Sequence, residues 1–331
     1  MSGAVLLSCT GGGIGDVLLA TPVARALRGK YARIVALTHP AHIRVLAENP
    51  LFDEVWIDDG PLLASAARIR RGGFEAAVVT WATGRSALVP FLARIPIRVG
   101  QSRRLYSSLF TQRVQVRSEV GDHETHWTQI LLDYARQLDC DTDDTVPSFA
   151  VTATDVDAAR TLLANKQIVE PYALLHPTRG IAAQRARWPT TALAALAQRL
   201  GERFNVRVLV SGTGADREIA RAVAQSDQAV SIAGETTLGT FAAVAQGARF
   251  TVAMDSGPMH LAAAVGSPTV GIFALQSDEP ARWAPLGKRT AVVRPTYPCP
   301  PHHRKETCPD YACIAQLDIE RIVATVAEML T

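Results

Sequence analysis

The amino-acid sequence predicts an α/β protein built from two doubly wound, Rossmann-like domains. Short apolar runs of strand length alternate with helical segments along almost the whole chain, which is the pattern of parallel β–α–β units. Glycine-rich turns follow several of these runs, as they do where a strand passes into a helix. The length of 331 residues exceeds one typical domain and is sufficient for two.

The bulk composition describes a globular protein with a substantial core. Hydrophobic residues make up 48% of the chain and charged residues 20%, so a disordered chain is excluded. No apolar run approaches the roughly 18 residues of a membrane span. The first residues lack a basic region and a cleavage site, so we expect no signal peptide and a cytoplasmic protein. Five irregularly spaced cysteines fit reduced thiols better than a disulfide framework.

Charge is distributed unevenly along the chain. Residues 1–117 contain 15 Lys and Arg against 7 Asp and Glu, whereas the remainder contains 19 against 24. A basic N-terminal half indicates an anionic partner, such as a phosphate, a membrane surface or a nucleic acid. Since no basic tract is interleaved with aromatic residues and no nucleic-acid motif is present, we expect no nucleic-acid partner.

The first domain is predicted from residue 1 to residue 150. Its elements are strands at 3–8, 33–38, 54–57, 76–80 and 97–99 and helices near 41–48, 61–70, 84–93 and 123–138. Pro22 either begins a helix, with Thr21 as its cap, or kinks one, and we favour the kink. Residues 100–122 show no periodicity, so we expect a loop-rich insertion that faces the cleft. The acidic segment 140–147 indicates the approach to a linker.

The second domain is predicted over residues 151–315. Its elements are strands at 172–176, 206–211, 229–232, 250–254 and 268–273 and helices near 154–165, 190–204, 238–246 and 259–265. An amphipathic C-terminal helix is expected within residues 316–331, packing back toward the N-terminal domain.

A glycine-rich loop follows the first predicted strand. Gly11, Gly12 and Gly13 would let a ligand approach the backbone closely. The dinucleotide fingerprint requires a further glycine at position 16 or 18, depending on the register, and these positions are Asp16 and Leu18. The loop therefore argues against NAD as a ligand.

A second turn joins the strand 250–254 to the helix 259–265. It reads Asp255-Ser256-Gly257-Pro258, in which Pro258 fits the first helical turn and Ser256 or Asp255 can cap the helix. A carboxylate, a hydroxyl and free backbone N–H groups at a helix N-terminus can hold an anion or a sugar hydroxyl. The alternative is an ordinary capped turn without a ligand.

Four segments together resemble glycosyltransferase family 9, the heptosyltransferases of lipopolysaccharide core assembly. They are GGGIGDVLLATPVARAL, LLHPTRG followed by RWP, LVSGTGADRE, and, as the most specific, DSGPMHLAAAVGSP. The resemblance covers nearly the whole chain. It implies the GT-B fold, in which two doubly wound domains face a central cleft, and inverting, metal-independent transfer of heptose from ADP-heptose.

The resemblance also implies which residues act in the reaction. Asp16 matches the family's general base; the alternative is a helix cap. Thr178 and Arg179 would meet the departing diphosphate. Where the family usually has a lysine, this chain has Ala186, and either Arg185 or Arg187 could take over that role.

The remaining donor-site residues follow from the same resemblance. Asp216 would bind the ribose hydroxyls, with an N-cap as the alternative role. The backbone at Thr236 and Thr237 would meet adenine. Asp255 would bind sugar hydroxyls, while the N–H groups of Ser256 and Gly257 would contact the phosphates. Gly12, Gly13 and His260 complete the predicted donor site, and His260 has the alternative of a packed helix residue.

The acceptor implied by the resemblance is an anionic lipopolysaccharide-core lipid, of the Kdo-lipid A or heptosyl-Kdo type. The basic N-terminal half suits such a lipid and a peripheral contact with the inner face of the inner membrane. Arg85, Arg103 and Arg104 are the candidates for binding it.

We expect no metal and no other cofactor. The Asp-X-Asp triplets at 139–141 and 155–157 lie in solvated acidic contexts and occur often by chance. Cys299, His302, His303, Cys308 and Cys313 could form a zinc site by residue type, but their spacing matches no standard finger.

Two alternatives to this function stay open from the sequence. One is a GT-B sugar-nucleotide epimerase, or a transferase that uses another nucleotide sugar. The other is a non-catalytic nucleotide-sugar-binding protein, which the missing lysine at position 186 favours weakly and the presence of Asp16 and Asp255 opposes.

Overall fold

A computed structural model describes residues 3–169, 171–178, 188–275, 278–296, 308 and 311–331. The chain divides into two compact units, Met1–Ala150 and Val151–Thr331. Each unit contains a parallel sheet with helices packed on it, and in the described part of the chain each sheet has six strands.

The first unit is built on a sheet of order β3-β2-β1-β4-β5-β6. Its strands are β1 (Ala4–Cys9), β2 (Arg33–Thr38), β3 (Glu54–Ile57), β4 (Ala76–Val79), β5 (Ile97–Gln101) and β6 (Gln112–Val114). Its helices are α1 (Ile14–Leu19), α2 (Thr21–Leu27), α3 (Ile43–Leu46), α4 (Leu62–Arg71), α5 (Gly84–Leu92) and α6 (Trp127–Arg136). All six residues of β1 are buried because the strand is central and covered on both faces, as its largely apolar sequence predicts.

The second unit is built on a sheet of order β12-β11-β10-β7-β8-β9. Its strands are β7 (Tyr172–His176), β8 (Arg207–Val210), β9 (Ala229–Ser231), β10 (Thr251–Met254), β11 (Thr269–Ile272) and β12 (Thr290–Val293). Its helices are α7 (Ala153–Asn165), α8 (Thr190–Phe204), α9 (Arg217–Val223), α10 (Leu238–Gly247), α11 (Gly257–Ala264), α12 (Pro280–Trp283) and α13 (Ile319–Leu330). The apolar face of α13, with Ile322, Val323 and Val326, packs into the core of this unit beside α8 and β12.

The predicted kink at Pro22 is wrong. The helical segment is instead interrupted at Ala20, and Pro22 stands in the first turn of the separate helix α2. Proline is favoured there because the first N–H groups of a helix have no intrahelical acceptor. Thr21 is not a cap either, since its hydroxyl donates to the carbonyl of Leu18 at 2.7 Å.

The expectation of a loop-rich segment over residues 100–122 missed one strand. Strand β6 pairs in parallel with β5, from Gln112 opposite Val99 to Val114 opposite Gln101. With three residues, two of them polar, it is too short to produce a periodic signal. Short 3-10 turns at Leu105–Leu109 and Arg117–Val120 fill the remainder.

Both Asp-X-Asp triplets have structural partners. Thr152 caps α7, and the carboxylate of Asp155 accepts from the backbone N–H and the hydroxyl of Thr152. Asp157 pairs with Arg160, one turn later. In the other triplet, Asp141 pairs with Arg136. Among the described helices, none is both long and apolar enough to cross a bilayer.

Candidate active site

The glycine-rich loop after β1 brings Asp16 to the carboxyl end of that strand. Asp16 is the third residue of α1, and its Oδ2 accepts a hydrogen bond from the backbone N–H of Gly13 at 2.7 Å. Gly12 has a φ of +76°, and a Cβ there would lie 2.7 Å from the Asp16 side chain. Glycine is therefore required at position 12, both by the backbone conformation and by the close approach of the carboxylate.

Asp16 faces a small cavity rather than a packed interior. The cavity, of about 10 Å³, is lined by Cys9, Gly11, Asp16, Val17, Thr80, Trp81, Trp127 and Leu131. The indole of Trp81 lies against Gly11, where any side chain would collide with it. In the described part of the chain, the hydrogen bonds that the Asp16 carboxylate accepts come from backbone N–H groups.

Burial sets the acidity of Asp16. Desolvation raises the pKa of the carboxyl above its usual 3.8, while the N–H of Gly13 and the charge of nearby His42 oppose the rise. In turn, burial and His39 lower the pKa of His42. A carboxylate with a raised pKa is a stronger base than an ordinary surface aspartate, which is the property that general-base chemistry requires.

The arginines predicted for the acceptor have partners within the first unit. The guanidinium of Arg85 forms a bidentate pair with Asp58, which is 3% exposed. Arg103 and Arg104 both pair with Glu119, at 3.8 and 3.2 Å, and about half of each arginine side chain stays exposed. Arg85 is therefore held rigidly, whereas Arg103 and Arg104 keep exposed surface for an anion.

In the second unit, the predicted donor residues follow four adjacent strands. Thr178 comes after β7, Asp216 after β8, Thr236 and Thr237 after β9, and Asp255, Ser256 and Gly257 after β10. Because the sheet runs β10-β7-β8-β9 and all pairs are parallel, these loops emerge at the same sheet edge. Open α/β sheets bind their ligands at this edge.

Two of these side chains form hydrogen bonds with residues three positions away in the chain. Asp216 accepts from both the N–H and the hydroxyl of Thr213, at 2.8 and 2.6 Å. Thr237 caps α10 by accepting from the N–H of Thr240 at 3.1 Å.

Of the two predicted caps, Ser256 holds the N-cap position of α11. Its hydroxyl makes no cap hydrogen bond, however, and donates instead to the carbonyl of Met254 at 2.8 Å. His260 is buried, with 4% of its surface exposed.

Several predicted residues lie outside the described part of the chain. These are Arg179, Arg185, Ala186 and Arg187 of the diphosphate loop and Cys299, His302 and His303 of the cysteine- and histidine-containing segment. Of the latter segment, Cys308 and Cys313 are described: Cys313 is buried, and the sulfur of Cys308 accepts from the backbone N–H of Tyr311 at 3.3 Å.

Sequence reasoning missed two features of the site. One is Trp81, which closes the cavity beside Asp16 and gave no signal beyond being an aromatic residue after a strand. The other is His176, the last residue of β7, whose ring bonds to Thr178 and Ser211. A polar residue that ends an otherwise apolar strand was the available signal for His176.

Comparisons with known proteins identify the family of this chain. Residues 63–312 match the family model of glycosyltransferase family 9 (heptosyltransferase). A segment of 190 residues is 30% identical to lipopolysaccharide heptosyltransferase 1 of Pseudomonas aeruginosa and covers 57% of this chain. The match spans about half, 49%, of that relative's length.

Solved structures share the fold over the whole chain. A family 9 glycosyltransferase from Veillonella parvula superposes with a TM-score of 0.85 at 19% identity, covering 99% of this chain and 97% of its own. ADP-heptose lps heptosyltransferase II of E. coli superposes with a TM-score of 0.78 at 20% identity, covering 99% of this chain and 98% of its own. E. coli heptosyltransferase WaaC, solved with ADP, superposes with a TM-score of 0.73 at 18% identity, covering 98% of this chain and 99% of its own. The α/β, GT-B fold class is thus confirmed, and the family model confirms the resemblance: the chain belongs to glycosyltransferase family 9, the heptosyltransferase family.

Proposed function

We propose that this protein is an inverting, metal-independent glycosyltransferase that moves heptose from ADP-heptose to a lipopolysaccharide inner-core acceptor. The observation that carries the proposal is Asp16, a partly buried carboxylate with a raised pKa at the carboxyl end of the central strand. Family membership supplies the reaction class. The similarity to WaaC, which was solved with ADP, supports adenine as the donor base.

In this reaction, Asp16 removes the proton from the attacking acceptor hydroxyl. The hydroxyl oxygen then forms a bond to the anomeric carbon of the donor, and the bond from that carbon to the diphosphate breaks on the opposite face. The configuration at the anomeric carbon is therefore inverted. The hydrogen bond from Gly13 orients the carboxylate without protonating it.

The donor is assigned to the loops of the second unit. The N-terminal amides of α11, at Ser256 and Gly257, would meet the phosphates, where the helix dipole favours negative charge. Thr178, Arg179, Arg185 and Arg187 would stabilise the departing diphosphate, Asp216 would bind the ribose, and the backbone at Thr236 and Thr237 would meet adenine. Asp255 is assigned to the sugar hydroxyls, and His260, Gly12 and Gly13 are the remaining candidates for donor binding.

The acceptor is assigned to the basic first unit. Arg103 and Arg104 keep exposed guanidinium surface for phosphate or carboxylate groups. The same positive charge supports a peripheral contact with the anionic inner face of the inner membrane, where such a lipid is presented.

The direct test is product analysis. The purified protein is incubated with ADP-heptose and a panel of truncated core lipids, and mass spectrometry measures the addition of one heptose. Parallel reactions with UDP- and GDP-sugars test the donor base, and NMR of the product anomeric centre tests inversion. Transfer from a UDP-sugar only, or retention of configuration, would overturn the proposal.

A further inference from the structure

A buried polar network lies at the carboxyl end of β7. The Nδ1 of His176 is 3.0 Å from the hydroxyl of Ser211, and its Nε2 is 3.2 Å from the hydroxyl of Thr178. All three residues are at most 8% exposed. Unsatisfied polar atoms are costly at such depth, so both ring nitrogens require their partners.

The neighbouring bonds indicate where the proton of the ring lies. The hydroxyl of Ser211 lies 3.3 Å from the carbonyl of Leu175, and when it donates to that carbonyl it accepts from the ring. In this arrangement His176 carries its proton on Nδ1, and its Nε2 accepts the hydroxyl proton of Thr178. Burial lowers the pKa of His176 to about 4 against the opposing charge of Asp216, so the ring is neutral near pH 7.

The ring of His176 also joins the segments that carry the donor residues. Ser211 directly precedes the turn to Asp216, and Thr178 opens the loop assigned to the diphosphate. Phe241 of α10, the helix that follows Thr237, packs edge-on against the ring at 6.2 Å between centroids. One side chain thus touches the ends of two strands and the helix beside a third.

We propose that His176 is a positioning residue for the donor nucleotide. Its neutral ring, protonated on Nδ1, ties Thr178 to Ser211 and holds the Thr178 hydroxyl in place without touching the reacting atoms. The identity of the ligand, a nucleotide donor, rests on the function proposed above. The hydrogen-bond network around His176 does not depend on that function. Thr178 is the residue through which the effect reaches the nucleotide.

The protonation state can be measured without any ligand. In the full-length protein labelled with ¹⁵N-histidine, long-range proton–nitrogen NMR correlations identify which ring nitrogen carries the proton. We expect the Nδ1-protonated form for His176, unchanged from pH 8 to pH 6. The Nε2-protonated form, or titration near the ordinary value of 6.5, would overturn the proposal.

A pair of substitutions separates the two ring nitrogens. His176→Asn keeps a donor near Nδ1 for Ser211 but has no acceptor for Thr178, whereas His176→Gln places an acceptor near Nε2. We expect His176→Asn to raise the Kd for ADP, measured by isothermal titration, about two- to tenfold, the range of one lost hydrogen bond. His176→Gln should recover most of the affinity. Equal weakening in both variants, with unchanged circular dichroism, would contradict a role through Thr178.

A double-mutant cycle completes the test. If His176 acts through Thr178, His176→Asn should change the Kd less than about twofold in a Thr178→Val background. The same fold-change in both backgrounds would overturn the proposal. If the wild-type protein binds UDP or GDP instead of ADP, the donor assignment fails, and the cycle measured with that nucleotide still decides the role of His176. If no nucleotide binds the wild type, both proposals fail.

Discussion

Replacing Asp16 by asparagine should stop the reaction while leaving the fold and donor binding intact. The amide oxygen of asparagine can still accept the 2.7 Å hydrogen bond from Gly13, so the turn into α1 keeps its geometry. The amide NH₂ group faces the small cavity, where no described side chain loses a partner. The free energy of unfolding should therefore change by less than about 0.5 kcal/mol.

The expected loss of rate follows from the role of the carboxylate. A positioned general base contributes about 10²–10⁴ in rate, or roughly 3–5 kcal/mol of activation free energy. We expect kcat of Asp16→Asn to fall by this factor, measured as heptose transfer at saturating donor and acceptor. The Kd of this variant for ADP should stay within about twofold of the wild-type value, because the nucleotide is assigned to the second unit.

Glu75 offers a matched control for the Asp16 experiment. It is exposed and directly precedes β4, so it lies at the amino ends of the strands, whereas Asp16 lies at their carboxyl ends. Glu75→Gln therefore removes a carboxylate of the first unit that is away from the site. We expect wild-type turnover for Glu75→Gln. If Asp16→Asn also retained near-wild-type turnover, the assignment of Asp16 as the base would be refuted.

Three further predictions concern pH, backbone and packing. Because only the ionised form of Asp16 is a base and burial raises its pKa above 3.8, kcat/KM should fall as the pH is lowered through that raised value; a limb at or below 3.8 in the pH–rate profile would contradict the role of burial. Gly12→Ala should lower kcat at least about tenfold and the free energy of unfolding by about 1–2 kcal/mol, because position 12 has a φ of +76° and its Cβ would press on Asp16; wild-type urea denaturation and turnover would refute this. Ile322→Ala should lower the free energy of unfolding by about 2–5 kcal/mol, because this side chain is fully buried in the core of the second unit, whereas the exposed Glu320→Ala should cost less than about 1 kcal/mol; equal urea midpoints for the two variants would show that α13 is not part of that core.

The alternation of apolar runs and helical segments was sufficient to predict most of the fold. Buried parallel strands such as β1 and β10 are largely apolar runs, and their periodicity changes sharply at the following helix. Strand β6 escaped because three residues with two polar side chains carry no such signal. Pro22 was assigned wrongly because proline is compatible with both a kink and a helix start, and only the break at Ala20 distinguishes them.

The candidate site was predictable in outline but not in its supporting contacts. The glycine-rich loop after the first strand indicates a ligand site, whereas Asp16 was named from the resemblance to glycosyltransferase family 9, and its catalytic role stays a prediction. The cause of its raised pKa could not be seen, because Trp127 and Trp81 reach the cavity from distant parts of the chain. His176 was overlooked for the same reason: Ser211, its partner, is 35 residues away.

The contact between Trp81 and Gly11 provides an optical reporter for the region around Asp16. Trp81 is 38% exposed and lines the same cavity, so a ligand that binds against its exposed face would alter the polarity around its indole. Its emission should then shift on titration with acceptor, and Trp81→Phe would isolate that change from the other four tryptophans. Acceptor binding could thus be followed by fluorescence without any label or turnover.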